Sequence, residues 1–508
     1  MKQKKTKKIL TSATGAPISE DNTSLTIGKT GKRGEITALG DVNLIEKLAH
    51  FTRERIPERV VHAKGAGAYG EFVLTKDMSE YTSADLFNTK GKKTPLFIRF
   101  STVGGERGSA DAARDPRGFA IKFYTKTGNY DLVGNNTPIF FIRDAAKFPD
   151  FVHTQKRDPQ TGMPDADMFW DFLSLTPESI HQVSFLFSDR GTPKNYRHMD
   201  GFSSHAYMWY NKHKDYVWVK YHFISDQGNE TMTDQEATIM KGKDPDHATR
   251  DLFEAIKNRK YPSWKFCVQI MNKQQALNYK FDPFDVTKVW FHKDFPLIEI
   301  GKITLNRNPE NYFAEVEQVA FAPTNLVSGI AFSPDKLLQG RLFAYRDAQR
   351  YRLGVNNTEI PINRPRVPIH NYQRDGLHTI NNNSTAKVNY FPNSVPGEPY
   401  PIPEVAMPVL NIDGTLAKRI QPLEDIDFYQ TGEFWRRVLT SAEKEHLINN
   451  IAGHLGNAKQ NIQYRQTALF YKADKEYGSN LAKVLKLDVN KVSKLAFMKQ
   501  SDRVKATS

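Results

Sequence analysis

Tyr345 stands between two arginines at helical spacing, and that arrangement is the first in the chain whose chemistry follows from residue types alone. Ser333 offers an N-cap, Pro334 fits the first helical position, Asp335 suits the positive end of the helix dipole and Gly354 offers a stop. The pattern therefore predicts a helix over 334–353. On it Arg341, Tyr345, Ala348 and Arg352 share one face, a phenol flanked by guanidinium groups, which suits an anion. Gly340 costs about 1 kcal/mol inside such a helix, a cost that close approach of something large to the backbone would offset. Gly65-Ala-Gly-Ala-Tyr-Gly70 matches a dinucleotide-binding GxGxxG literally, but that fingerprint must open a helix after a strand. Here the β-prone stretch 71–75 follows, so the glycines are assigned to a tight turn or close backbone packing. No P-loop, HExxH, CxxC or GxSxG pattern occurs, which removes the commonest phosphate, zinc and serine-hydrolase readings. The 14 histidines are scattered, and spacing alone gives His62 no catalytic role. Cys267, the single cysteine, can form neither an internal disulfide nor a multi-cysteine metal site, and reads as a small buried hydrophobe in a reducing compartment.

The elements that must position these groups come from 508 residues, enough for about three packed units or one large core with extensions. Hydrophobic residues at 39%, charged residues at 25% and a mean hydropathy of -0.58 describe a folded globular chain with no apolar run long enough to span a membrane. A net charge of +14 permits weak attraction to anionic surfaces, including nucleic acid. Lys2, Lys4, Lys5, Lys7 and Lys8 supply five of those charges, though, and a terminal charge run is usually a solvated end. No apolar region follows these lysines and Ala506-Thr507-Ser508 is no peroxisomal tripeptide, so the expected location is cytoplasmic. Residues 1–60 read as an arm with a helical hint at 42–48. Strand-like runs at 71–75, 96–101, 119–124, 216–223 and 264–270 predict an antiparallel sheet closed into a barrel within 61–305, an α+β architecture. Between 306 and 425 the chain is loop-rich, with Pro392, Pro396, Pro399, Pro401, Pro403 and Pro408 crowding a segment that must wrap over something. The last part, 426–508, is helical: Thr440 and Glu443 form a capping box ahead of Leu447, Ile448, Ile451 and Leu455.

Three stretches carry a resemblance. Phe51-Thr-Arg-Glu-Arg-Ile-Pro-Glu-Arg-Val-Val-His-Ala-Lys-Gly-Ala-Gly67 resembles the active-site signature of monofunctional haem catalases, Arg341-Leu-Phe-Ala-Tyr-Arg-Asp347 their proximal haem-ligand motif, and 131–143 their distal asparagine segment. Shorter similar stretches at 99–103, 114–118, 181–185 and 371–376 extend the match over most of the chain. The resemblance implies an eight-stranded β-barrel and decomposition of hydrogen peroxide to water and oxygen through an oxoferryl haem, with a small-subunit type, haem b and a homotetramer. It implies Tyr345 as the axial phenolate. A tyrosine of ordinary pKa near 10 needs a nearby cation for that, and Arg341 lies one turn away, supported by His205. It implies Arg59, Arg99 and Arg352 at the propionates. On the other face it implies His62 as proton carrier, Asn135 as peroxide donor and Ser101 orienting the imidazole. Val61, Val103, Phe140, Phe141 and Phe148 resemble the apolar wall and channel, and Asp115 the channel carboxylate. Strict strand alternation would put Arg59 and His62 on opposite faces, so the chain must leave regular geometry there. Two competing readings are a hydroperoxide-processing haem enzyme resembling allene oxide synthases and a non-catalytic haem carrier. Val61, where the former group places threonine, argues against the first, and a preserved His62 and Asn135 argue against the second. Finally, His181, Phe185, Ser188, Arg190, Val289, Trp290 and His292 match the family's surface NADPH site. Ile224 stands where many members have a phosphate-pairing lysine, so weaker binding is expected.

Overall fold

The computed structural model describes residues 8–28, 35–373, 375–382, 387–411, 414, 416–418 and 425–508. Lys2, Lys4, Lys5 and Lys7, and Arg374 of the 371–376 stretch, lie outside the described residues. The chain divides into residues 1–58 and 59–508. In the first unit β1 (Thr26–Ile27) pairs with β2 (Ile36–Thr37), and α1 (Val42–Phe51) starts at Asp41, whose carboxylate accepts from the Leu44 amide at 3.0 Å. The helix is three residues longer than the hint that predicted it, and none of its side chains is buried within this unit.

The second unit is built on β3 (Gly65–Leu74), β4 (Lys93–Ser101), β5 (Gly118–Thr125) and β6 (Gly128–Asn135). After α2 (Phe148–Gln155), α3 (Ala166–Leu175) and α4 (Ile180–Phe187), the sheet resumes with β7 (Gly201–Phe202), β8 (Tyr207–Tyr210) and β9 (Tyr216–Ser225). Then come α5 (Asp234–Lys243), α6 (His247–Lys257), β10 (Ser263–Met271), α7 (Lys273–Asn278), β11 (Ile298–Arg307) and β12 (Ile330–Phe332). The antiparallel neighbours run β3-β4-β5-β6-β7-β9-β10-β11, and β11 pairs back onto β3. That ring is the expected eight-stranded barrel, with β8 added outside it on β9 and β12 on β8. Alternation fills its interior: on β9 Val219, Tyr221 and Phe223 point inward and are fully buried, while Lys220, His222 and Ile224 face outward. Phe72, Phe87, Phe123, Tyr221, Phe223 and Phe266 form a continuous aromatic core with edge-on and tilted contacts. Gly65, Gly67 and Gly70 lie within β3 and not in a turn. A Cβ on them would strike the Phe100 carbonyl, the Phe97 ring and the Thr304 carbonyl, so close packing is their reason.

The helix around Tyr345, α8, runs Lys336–Leu353 and ends at Gly354 with φ +92°. Its cap is Asp335 and not Ser333: the Asp335 carboxylate accepts from the Leu337 and Leu338 amides at 2.9 and 3.1 Å, and the shorter serine side chain receives only the Asp335 amide. Pro334 thus lies outside the helix. What approaches Gly340 is the 145–147 turn, since a Cβ there would sit 2.2 Å from the Ala145 Cβ. Six helices follow: α9 (Ile426–Glu433), α10 (Ser441–Leu455), α11 (Gln460–Ala473), α12 (Lys475–Val484), α13 (Val489–Ala496) and α14 (Gln500–Lys505). The Thr440–Glu443 capping box opens α10, and its four predicted apolar residues are buried. They share a second core with α2, α3 and α4, tied by Trp170 Nε1 donating to His454 Nδ1 at 2.8 Å and by Lys288 donating to Asp427 at 2.9 Å. No helix among the described residues is long and apolar enough to cross a membrane.

Candidate active site

One ladder row near the barrel rim runs Gly65, Ser101, Gly118, Asn135, Phe202 and His222 in direct register. Ser101 and Asn135 therefore flank Gly118 on neighbouring strands. His62 reaches the row from the irregular segment before β3, with φ +64°, the left-handed conformation rare outside glycine. That departure is how Arg59 and His62 escape strand alternation. It is over-determined: the His62 amide donates to the Val103 carbonyl at 3.0 Å, and its carbonyl accepts from Arg99 at 2.8 Å. His62 Nδ1 and Ser101 Oγ are hydrogen-bonded at 2.8 Å, leaving Nε2 without a protein partner among the described residues. Burial first, then the Arg99, Arg341 and Arg59 charges, lower its pKa to about 3, so the imidazole is neutral at ordinary pH.

On α8, Arg341 donates to Tyr345 Oη at 2.7 Å and to the Val133 carbonyl at 2.9 Å. Val133 is two residues before Asn135 on β6, so one strand anchors the arginine of the tyrosine face and carries the asparagine of the histidine face. His205 Nδ1 pairs at 2.6 Å with Asp335, the cap of the helix that carries Arg341. Glu317 draws the remaining cations together: Arg352 donates to its carboxylate at 3.1 Å, and Arg59 lies 3.7 Å from the same oxygen. Arg59 also donates to the Val316, Glu317 and Val319 carbonyls. Two guanidinium groups thus meet at one carboxylate in a buried region that also holds the charge of Arg99, and among the described residues Arg59 Nη1 and Arg99 Nε have no hydrogen-bond partner. Phe140 stacks on Phe148 at 6.3 Å and meets Phe141 edge-on at 5.6 Å, and Val61 joins them against the second core. Asp115 accepts from the Val103 and Gly104 amides at 2.6 and 2.7 Å, while burial pushes its carboxyl upward. Glu317, Gly118 and the capping role of Asp335 escaped the sequence reading; only the Asp335 dipole position carried a signal.

Outside the barrel, a cavity of about 380 Å³ is lined by His181, Phe185, Arg190, Ile224, Val289, Trp290 and His292, with Gln430 and Phe434 contributed by the helices. Six of the seven expected residues line it. Ser188 does not: it is buried, its hydroxyl donates to the Phe185 carbonyl at 2.7 Å and accepts from the Arg190 amide, and it starts the turn that carries Arg190. Arg190 lies over the Phe185 ring, 5.3 Å from its centroid.

A family model described as Catalase matches residues 11–397, and a second, described as Catalase-related immune-responsive, matches residues 423–485. Among solved structures, a bacterial catalase matches with TM-score 0.89 and 44% identity over 95% of this chain and 97% of its own. Catalase A from Saccharomyces cerevisiae matches with TM-score 0.88 and 46% identity over 94% and 99%. Catalase-A of Dictyostelium discoideum is 54% identical over 96% of this chain and 98% of its own. A catalase of Methanosarcina barkeri is 56% identical over the full length of both chains, and with the matching fold beside it this agreement shows that the chain belongs to the catalase family.

Proposed function

We propose that the chain breaks hydrogen peroxide into water and oxygen with a haem b held between Tyr345 on one face and His62, Ser101 and Asn135 on the other. The residues present fit that group. Three buried guanidinium groups against the single Glu317 carboxylate leave an excess of two positive charges, with Arg59 Nη1 and Arg99 Nε unsatisfied, and two propionates balance both. Bound haem supplies a ferric iron that accepts an anionic ligand and exchanges electrons with peroxide. The protein supplies the rest. Arg341, at 2.7 Å, stabilises negative charge on Tyr345 Oη. The neutral His62 takes a proton at Nε2 from one peroxide oxygen and returns it to the other, while Ser101 holds the ring through Nδ1. Asn135 donates to the peroxide, and Val61, Val103, Phe140 and Phe148 exclude larger donors beside the Asp115 carboxylate. The observation that carries this reading is the His62–Ser101 bond at 2.8 Å beside Asn135 on one ladder row. Purified protein is expected to show a Soret band and to evolve oxygen from dilute peroxide. A Soret band without oxygen would overturn it.

Finer features belong to the same proposal. The small-subunit type rests on the resemblance alone. The organisation is an arm (1–60), a barrel (61–305), a wrapping segment with the proximal helix (306–425) and a helical part (426–508). A homotetramer is supported by apolar side chains left exposed along 377–416, and a cytoplasmic location by the single buried, unpaired Cys267. For NADPH the support is the cavity, with Arg190 at its lining. Ile224 removes one cation, but Lys265, its cross-strand partner on the same face, keeps a positive charge beside the rim. Saturable NADPH binding at submillimolar concentration, followed by nicotinamide fluorescence, tests this part.

A further inference from the structure

Between Ser101 and Asn135 the ladder row holds a residue with no side chain, and its backbone gives no reason for that. Gly118 is in the middle of an antiparallel ladder, paired with Ser101 on one side and Asn135 on the other, and it is not among the positive-φ residues. Any amino acid could adopt its conformation. The space around it is what excludes a side chain: a Cβ built there would lie 2.2 Å from Ser101 Oγ, 2.8 Å from His62 Nδ1 and 3.2 Å from His62 Cε1. The other barrel glycines differ. Added atoms at Gly65, Gly67, Gly70, Gly134, Gly201 and Gly301 meet backbone carbonyls, core rings or an arginine, so those positions serve packing.

We propose that Gly118 is a positioning residue for the reaction: its empty face is the space in which the His62 imidazole and the Ser101 hydroxyl meet. Neither partner can withdraw by moving its backbone. His62 is tethered at its amide by Val103 and at its carbonyl by Arg99, and Ser101 is fixed in the ladder between Gly65 and Gly118. A methyl group at 118 must therefore rotate the hydroxyl away or tilt the ring, and either change opens the Nδ1–Oγ bond and re-aims Nε2. The ring nitrogen that moves the proton is thus oriented from both sides, by a hydroxyl that bonds it and by a glycine that leaves room for the bond.

This inference rests on the assignment of His62 as proton carrier, and the test separates the two. The haem-loaded variants are Gly118→Ala, Ser101→Ala, the double variant Ser101→Ala/Gly118→Ala, and His62→Ala as reference. Gly118→Ala is expected to keep its Soret band and melting temperature while the rate of peroxide breakdown falls about ten- to a hundredfold. Its crystal structure is expected to show Nδ1 and Oγ beyond hydrogen-bonding distance. Deleting the Ser101 hydroxyl removes the nearest atom the new methyl meets, so the double variant should lose far less than the product of the two single losses. A purely structural glycine would give no such coupling. Multiplying losses, or a Gly118→Ala enzyme within twofold of the parent, would overturn the inference, as would failure of both Gly118 variants to fold. Near-normal oxygen release by His62→Ala would instead overturn the assignment of the histidine.

Discussion

His62 is held in a conformation that costs energy, and the hydrogen bonds that hold it also place it where a neutral imidazole can work. A left-handed φ for a non-glycine residue costs about 1–3 kcal/mol, which the Val103 and Arg99 tethers offset. Burial and three guanidinium groups keep the ring uncharged, whereas the Tyr345 oxygen receives a hydrogen bond from Arg341 at 2.7 Å. The two residues should therefore fail differently. His62→Ala is expected to retain haem and lose about 10²–10⁴ in the rate of peroxide breakdown, the usual contribution of a positioned proton carrier. Tyr345→Phe removes the phenolic oxygen and is expected to yield protein with little or weakly held haem. Haem content from the Soret absorbance and oxygen release on an electrode read the two outcomes independently. A Tyr345→Phe protein with full, tightly held haem would contradict the ligand assignment.

The helix that carries Tyr345 was legible in the sequence because its stop and its charged face are local signals, yet its start was misplaced by two residues. Ser333 and Asp335 both qualify as caps by type, and the choice is tertiary: buried His205 at 2.6 Å fixes the Asp335 carboxylate where it also receives two helix amides. Five strands were visible from their β-branched and aromatic runs. β6 was not, since Gly-Asn-Tyr-Asp-Leu-Val-Gly-Asn is poor in strand formers, and pairing with β5 and the buried Lys122–Asp131 ion pair impose its conformation. Arg59, Arg99 and Arg352 were singled out by resemblance, but Glu317, which meets Arg59 and Arg352, ends the short π-helix Phe313–Glu317, whose sequence has no distinguishing pattern. The double duty of Asp335 gives an expected outcome at this scale. Asp335→Ala loses the cap and leaves a buried imidazole nitrogen unpaired, about 2–4 kcal/mol together. Asp335→Asn keeps an oxygen for the two helix amides and turns an NH2 donor toward His205 Nδ1, which the neutral imidazole can accept in its other tautomer, so it should cost less. Denaturant midpoints of the haem-loaded proteins measure the difference, and equal midpoints for the two variants would contradict the shared role.

In the whole molecule, two features reach beyond the single chain and the single site. Tyr400, Val409 and Leu416 in the wrapping segment are at least 80% exposed, an arrangement that favours burial against other copies. Light scattering is expected to give a mass of four 58.0 kDa chains, and a stable, active monomer would reject the tetramer. The second feature is acid sensitivity. His181 and His222 are each about 5% exposed, and burial is the main cause that lowers both pKa values to about 3. In the unfolded chain each would titrate near 6.5. Below that pH the unfolded state gains protons that the folded state refuses, so the stability these neutral rings contribute is complete above about pH 6.5 and is lost progressively toward pH 3. Each group contributes a slope of about 1.4 kcal/mol per pH unit inside that window, nearly 3 for the pair. Carboxylates with lowered pKa values, such as Asp335, add their own loss only below about pH 4, so the interval between pH 6 and 4.5 isolates the histidines. Denaturant unfolding at half-unit steps is expected to show falling midpoints across that interval, and His222→Gln, which cannot take up the proton, should remove part of the fall, with His181, His62 and the other buried histidines carrying the rest. A midpoint unchanged from pH 7 to 4.5 would mean that these rings are protonated alike in both states and that their burial does not govern acid stability.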